Sequence, residues 1–160
     1  MATDLKAKFG TSNQSITITL ASLGSGSSRA STVIDNSSNV FLDALVFLNI
    51  KSGASGVSST GYCSVYAYGT SDGGTNYTEN ASGSDAAITL TAPTNLRLIG
   101  VVNVVANATT YKAGPFSVAQ AFGVLPEKWG IVVTNGSGAA LDATEGNHLK
   151  IYQGVLAQSV

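Results

Sequence analysis

Residues 39–50 read NVFLDALVFLNI, a run in which apolar side chains occupy both sets of alternate positions. Successive side chains of a β-strand point to opposite faces of the sheet. One face of this strand would carry Val40, Leu42, Ala44, Val46, Leu48 and Ile50, and the other would carry Phe41, Leu45 and Phe47 beside Asp43 and Asn49. The run therefore predicts a strand without an open solvent face.

Two further runs are apolar on both faces. In LRLIGVVNVVA, residues 96–106, alternation places Leu96, Leu98, Val102 and Val104 on one side and Ile99, Val101 and Val105 on the other. In YCSVYAY, residues 62–68, it places Cys63, Val65 and Ala67 opposite Tyr62, Tyr66 and Tyr68. A β-sandwich needs only one dry face per sheet. The second dry faces must be covered by a short helix, by long loops or by another subunit.

Period-2 alternation also dominates the rest of the chain, and helical periodicity is nearly absent. Further strands are predicted at 15–20, 30–35, 86–92, 130–134 and 148–157, shorter ones at 76–79, 109–112 and 138–142, and a short helix at 115–123. Clusters of Gly, Ser, Thr and Asn separate them as turns. We predict an all-β, single-domain antiparallel β-sandwich, jelly-roll-like, with at most one short helix. Residues 1–14 form an N-terminal arm and residues 15–160 the β-sandwich domain.

The composition limits the classes of partner. Only 11% of the 160 residues are charged, and the formal net charge is −1. Nucleic acid and anionic membranes are bound through clustered Lys and Arg, whereas the eight basic residues here are scattered. We therefore expect no nucleic-acid partner. We also expect no membrane partner, since the apolar runs are too short to span a bilayer and the N-terminus lacks the pattern of a signal peptide. The low charge permits copies of the chain to associate.

Two glycine-containing loops are candidates for ligand or metal binding. After the strand IVVT, Asn135-Gly136-Ser137-Gly138 starts like a dinucleotide fingerprint, but Leu141 stands where the third glycine belongs and no helix pattern follows. We predict a hairpin turn at Asn135-Gly136 with AALDA as a short return strand. TSDGGTNY, residues 70–77, is also predicted to be a turn of this kind. Its Asp72 and Asn76, with Glu79 and Asp85 nearby, could gather oxygens around Ca²⁺, but the spacing matches no calcium loop, so no metal is expected.

Catalytic chemistry is not indicated. His148 is the only histidine, and alternation places it with Lys150 and Tyr152, opposite Leu149, Ile151 and Val155, so we expect an exposed strand residue rather than a catalytic base. The carboxylates are dispersed over loops and indicate no glycosidase pair. Cys63 is the single cysteine, so an intramolecular disulfide is impossible, and we expect a small buried hydrophobic residue. We predict no catalytic residue, no cofactor and no metal.

The aromatic residues leave a binding function open. Tyr62, Tyr66 and Tyr68 share one face of a predicted strand, and Trp129 is the sole tryptophan. Such rings can form a stacking platform for sugars, as in carbohydrate-binding β-sandwich modules. Alternatively, the same rings pack under a loop or against a neighbouring subunit, and alternation does not separate these cases.

Three blocks of the chain resemble a known class of proteins. ASLGSGSSRASTVIDNSSNVFLDALVFLNIKSG (21–53), VYAYGTSDGGTNYTENASGSDAAITL (65–90) and LPEKWGIVVTNGSGAALDATEGNHLKIYQGV (125–155) resemble small tailed-bacteriophage virion structural proteins. The resemblance covers most of the chain from about residue 20 onward. Proteins of this class look like jelly-roll or related sandwiches that decorate or cement the capsid, or that sit in the neck or tail. The class carries no catalytic residues to transfer.

The resemblance implies a non-enzymatic structural component of a tailed-phage virion. Within that class it favours a capsid decoration or cement protein that stabilises the shell through subunit contacts. The expected partners are the chain itself, as a homo-oligomer (a trimer or a higher ring), and the major capsid protein or other virion proteins. The expected location is the virion, after synthesis in the bacterial host cytoplasm. The alternatives are a neck or tail protein of the same virion and a carbohydrate-binding module.

Overall fold

The computed structural model describes residues 4–159, and these form two antiparallel sheets that pack face to face. The all-β sandwich is confirmed. The strands are β1 (Leu5–Phe9), β2 (Gln14–Ser15), β3 (Ser28–Ala30), β4 (Ile34–Asp35), β5 (Asp43–Lys51), β6 (Tyr62–Thr70), β7 (Ala86–Ile88), β8 (Arg97–Asn103), β9 (Thr110–Ser117), β10 (Lys128–Gly136) and β11 (Leu149–Ser159). A short helix, α1 (Ala119–Phe122), follows β9, and a 3-10 turn (Glu145–Asn147) precedes β11.

The two sheets have the strand order of a jelly roll. Sheet A runs β1–β11–β5–β9, with β2 pairing to the same edge of β11 as β1, and sheet B runs β7–β3–β10–β6–β8, with β4 also pairing to β10. Strands distant in sequence are therefore neighbours, because β11 lies between β2 and β5 while β10 lies between β3 and β6. This interleaving is what two Greek keys produce.

The core lies between the sheets and follows the predicted alternation in β5 and β6. Ala44, Val46, Leu48 and Ile50 of β5 are fully buried, as are Cys63, Val65 and Ala67 of β6. Ile16, Ile18 and Leu20 also enter this core, although Ser15 is the one residue of the predicted strand 15–20 that belongs to a ladder, together with Gln14 before it. Beyond Ser15 the chain crosses from one sheet toward the other: Ile16 donates to the carbonyl of Lys150 in sheet A, and Thr17 accepts from Thr32 beside sheet B.

The second dry face of sheet B is covered from within the chain. Residues 71–96, which we call the covering segment, contain the edge strand β7, and residues on either side of β7 lie over the outer face of β6 and β10. A second buried cluster forms there from Ala30, Tyr68, Leu96 and Val132, with Tyr77, Ala81 and Leu90 packed against it. Tyr68 is fully buried, donates a 2.7 Å hydrogen bond to the carbonyl of Ser31, and meets the ring of Tyr77 edge to face.

One predicted face assignment in β8 is wrong. The register with β6 pairs Val65 with Gly100 and Tyr66 with Leu98, so Ile99 is an extra residue in a β-bulge. A bulge of one residue reverses the alternation on its two sides. Leu98 therefore lies on the outer face with Tyr66, while Val102 and Val104 lie in the core, so Leu98 and Val102 do not share a face.

The predicted hairpin at Asn135-Gly136 is also wrong. Both residues continue β10, and the chain turns later, around Gly138, which has φ of 91°. The buried side chain of Asn135 directs this turn, donating to the carbonyls of Leu23 and Ala139 and accepting from the amide of Ser137. The following residues do not return along sheet B, since Leu141 makes only an isolated bridge to Ser52 after β5. The loop thus carries the chain from sheet B to sheet A.

The structure differs from three further predictions made from the sequence. The loop at 70–77 is not a hairpin, because β6 ends at Thr70 and the next strand, β7, pairs with β3 instead. Residues 76–79, predicted as a short strand, lie in the covering segment without strand pairing. The helix predicted at 115–123 shrinks to Ala119–Phe122, with Gly123 ending it in a left-handed conformation (φ 84°) and Pro115 belonging to β9.

The predicted N-terminal arm contains a strand. Its first three residues lie outside the described residues, but Leu5–Phe9 pairs antiparallel with residues 155–159 of β11. All five side chains of β1 are exposed.

Candidate interaction surfaces

His148 has a structural role at the start of β11. Only 5% of its surface is exposed, so the expectation of an exposed strand residue is wrong. Its Nδ1 accepts a hydrogen bond from the backbone N–H of Lys51 (3.3 Å), and its Nε2 lies 3.1 Å from the carbonyl oxygen of Asp142. Because a carbonyl only accepts, the neutral ring carries its proton on Nε2. Both nitrogens join β5 to the loop before β11, which leaves neither free to act on a substrate.

Glu145 holds the same region together. One carboxylate oxygen accepts hydrogen bonds from the backbone amides of Leu20 (2.9 Å) and Ala21 (2.7 Å), and the other is ion-paired with Lys150. Burial alone would raise the pKa of Glu145, but the hydrogen bonds from Lys150 and the two amides outweigh it and hold the pKa below its usual value. This carboxylate is therefore a fixed anion that ties the segment after β2 to β11.

The oxygen-bearing residues considered for Ca²⁺ belong to separate networks. Asp72 caps its own turn, with Thr70, Thr75 and Asn76 donating to it. Glu79 accepts from the backbone amides of Thr91 (2.6 Å) and Asn95 (2.8 Å), whereas Asp85 is held by Thr19 and Arg29. Within residues 4–159 no group of three His, Cys, Asp or Glu side chains could hold a metal ion.

The aromatic residues considered for sugar binding do not form one platform. Tyr68 and Trp129 are both fully buried, on opposite faces of sheet B. Tyr66 is half-buried beside Tyr68, and only Tyr62 is exposed. A stacking platform requires ring faces that are open to the ligand. Tyr66, Tyr68 and Trp129 instead pack within the chain.

Cys63 is buried in the core, as predicted. Its Sγ lies 3.8 Å from Oδ1 of Asn135, and burial raises the pKa of the thiol to about 12. A thiol with so little thiolate at neutral pH is a poor nucleophile.

The outer face of sheet A carries a group of apolar residues that are half-buried or exposed. Phe47 stands opposite Ile151, Leu45 opposite Gln153 and Asp43 opposite Val155. Phe47 is 39% exposed in the middle of β5, and Leu149 is 41% exposed at the first position of β11. We call this surface the A-face, formed by Leu45, Phe47, Leu149, Ile151 and Val155. It is the second dry face of the run 39–50.

The A-face continues onto a two-stranded ribbon. Residues 156–159 of β11 extend past β5, which ends its pairing at Val155, and among the described residues they pair only with β1. Because Phe9 stands opposite Val155 and Ala7 opposite Ala157, the apolar side chains of β1 share the outer face. Leu5 is 76% exposed and Phe9 is 58% exposed. We call β1 together with residues 155–159 the terminal ribbon.

A smaller apolar patch lies on sheet B. Four exposed hydrophobic residues lie on or beside β8 and β6, outside the area protected by the covering segment: Tyr62, Leu98, Val101 and Val105. Ser64 stands opposite Val101, and Tyr66 opposite Leu98. β8 is also the edge strand of its sheet.

Comparison of the chain with protein-family models, with curated proteins and with solved structures finds no match. Within the described part of the chain, no helix combines the length and the apolar composition needed to cross a membrane.

Proposed function

We propose that the protein is a non-enzymatic structural component of a tailed-phage virion, and specifically a capsid decoration or cement protein. The A-face carries this proposal, because an apolar surface in the middle of a sheet is suited to contact with another protein. The resemblance of three blocks within residues 21–155 to small virion proteins indicates that the assembly is a tailed-phage virion. Its partners are further copies of this chain, in a trimer or higher ring, and the major capsid protein or other virion proteins.

The mechanism of such a protein is passive. Apolar surface removed from water contributes about 25 cal/mol per Å², so contacts through the A-face stabilise the subunits that make them. A ligand or subunit that binds only the assembled state shifts the equilibrium toward that state. A shell that carries the bound protein is therefore harder to disassemble.

The placement of the reactive side chains supports a non-enzymatic role. Both ring nitrogens of His148 are engaged by backbone groups, and Glu145 is tied to Lys150 and to two amides. Asp85 is engaged by Arg29 and Thr19. Each of these groups holds two segments together, and the buried thiol of Cys63 is a weak nucleophile.

Light scattering after size exclusion, over a wide range of protein concentrations, tests the self-association. The expected result is a discrete trimer, hexamer or larger ring. A monomer at every concentration would contradict the proposed homo-oligomer.

Gold-labelled antibody against the purified protein, applied to particles of a tailed phage that encodes the chain, tests the location by electron microscopy. Label spread over the capsid is the expected result. Label confined to the neck or tail would favour the alternative of a neck or tail protein, and particles without label would overturn the virion assignment.

A further inference from the structure

The terminal ribbon points to a specific form of self-association. We infer that β1 is exchanged between copies of this chain, so that Leu5–Phe9 of one subunit pairs with residues 155–159 of its neighbour. This inference rests on the proposed self-association and names the segment that links the subunits.

The first observation is how loosely β1 is attached to its own chain. It pairs with residues 155–159 over five positions, but all five of its side chains are exposed, including Leu5 and Phe9. Backbone hydrogen bonds therefore provide most of its attachment, and apolar burial provides little. An exchanged strand makes the same ladder with the neighbour, so the exchange loses almost no contact energy.

The second observation is the complementary template. Residues 156–159 of β11 continue beyond the pairing with β5, and β1 is their sole strand partner in the described chain. When β1 leaves, the edge of residues 156–159 that it occupies becomes an open template, and an open strand edge readily binds another chain. A ribbon held by one other strand is marginally stable by itself, so a partner subunit that also covers its apolar face would stabilise it.

The third observation is the connection between β1 and β2. Residues 10–13 join them, and Asn13 adopts a left-handed conformation with φ of 60°. Gly10 continues the ladder, since its N–H donates to the carbonyl of Gly154 and its carbonyl accepts from the side chain of Gln153, so the free connection is residues 11–13. Three residues reach about 10 Å when extended, which is about two strand spacings. The connection can therefore carry β1 to an adjacent subunit while β2 stays paired with Ile151 and Tyr152 of its own chain.

The charges on β1 argue against the simpler mode, in which two copies pair edge to edge through β1. Antiparallel self-pairing centred on Ala7 would place Lys6 of one copy directly opposite Lys8 of the other. Like charges directly opposite each other destabilise a β pair, and lysines on an edge strand prevent further pairing. In the exchanged arrangement Lys6 faces Gln158 and Lys8 faces Leu156, as within one chain.

The exchange is tested by a disulfide across the ribbon. Ala7 and Ala157 are directly opposite each other, so the double variant Ala7→Cys/Ala157→Cys places two thiols at a distance that a disulfide can bridge. The control is Ser28→Cys/Thr134→Cys within sheet B, where the two hydroxyl oxygens lie 2.7 Å apart in one chain. After mild oxidation, the control should run as a monomer on a non-reducing denaturing gel, and the ribbon variant should run as a covalent oligomer.

Mixing two single variants gives an independent readout. Ala7→Cys and Ala157→Cys proteins are unfolded together, refolded and oxidised, and the exchange predicts a disulfide-linked heterodimer. Light scattering on the same samples distinguishes failure of the strand exchange from failure of the proposed homo-oligomer. A monomer band from a protein that is oligomeric in solution would overturn the exchange alone. A monomer band from a protein that is also monomeric in solution would overturn both the exchange and the proposed homo-oligomer.

Discussion

Trp129 of β10 and Tyr152 of β11 meet edge to face in the centre of the sandwich, with ring centroids 5.2 Å apart and planes at 90°. The contact joins sheet B to sheet A, and Trp129 is fully buried. The indole Nε1 has no hydrogen-bond partner among the described residues. The ring therefore contributes through packing between the two C-terminal strands.

Replacement of Trp129 by alanine should lower the free energy of unfolding by about 3–5 kcal/mol, because it removes the largest fully buried side chain and leaves a cavity. Urea titration followed by circular dichroism measures the loss. Tyr152→Phe is the matched control, since it keeps the edge-to-face ring pair, and it should stay within about 1 kcal/mol of the unmodified protein. Equal losses in the two variants would contradict a role based on packing.

Acid should destabilise the fold through Asp85. Burial would raise the pKa of this carboxyl, but the hydrogen bonds from Arg29 and Thr19 outweigh it and lower the pKa below 3.8. A group whose pKa is lower in the folded state stabilises the protein above its unfolded pKa and loses that contribution as the pH falls through the folded pKa. The free energy of unfolding should therefore decline below about pH 4.

Asp85→Asn tests this origin of the acid sensitivity. At pH 7 the variant should be less stable by about 1–3 kcal/mol, because hydrogen bonds to a charged acceptor are lost. Its stability should also fall less steeply below pH 4. An acid profile with an unchanged slope would mean that other carboxylates, such as Glu145, dominate the decline.

Cys63 should report on opening of the core. Its thiol is buried and has a pKa of about 12, so the native protein at pH 8 should react with an aromatic disulfide reagent orders of magnitude more slowly than the unfolded chain. Absorbance of the released thiolate, with and without guanidinium, measures the difference. Fast labelling without denaturant would show that the two sheets separate readily at β6.

Leu149→Asp should weaken self-association at the A-face. The substitution places a charge on an apolar surface, and the dissociation constant should rise at least tenfold, equivalent to about 1.4 kcal/mol. Light scattering over a dilution series measures it, and circular dichroism checks that the monomer remains folded. Val124→Asp is the matched control, because Val124 is an exposed apolar residue outside the A-face and the terminal ribbon. If both variants associate like the unmodified protein, the A-face is not the contact.

Much of the fold followed from local patterning. Alternation in residues 39–50 correctly identified Ala44, Val46, Leu48 and Ile50 as core residues, because the period of side-chain direction in a strand is set by backbone geometry alone. The same alternation identified Phe47 as part of a second apolar face. It could not say whether that face would be covered, because coverage depends on segments far away in sequence.

The incorrect predictions had one origin, which is contact with residues that are distant in sequence. The bulge at Ile99 reverses the alternation in β8, and it is visible only when β6 is laid beside that strand. The hairpin expected at Asn135-Gly136 failed because Asn135 is fixed by the carbonyl of Leu23, more than a hundred residues earlier in the chain. His148 is buried because Lys51 and Asp142 approach both of its nitrogens.

The sequence by itself therefore determined the β class, the inner faces of β5 and β6 and the buried state of Cys63, since these depend on side-chain period and polarity. Tertiary structure alone decided which second faces stay open. The covering segment closes sheet B over Tyr68, whereas the A-face and the terminal ribbon remain exposed. The physical reason is that burial of a sheet face requires contacts with residues outside the strand that carries it, and the covering segment supplies them over Tyr68 and Val132 of sheet B.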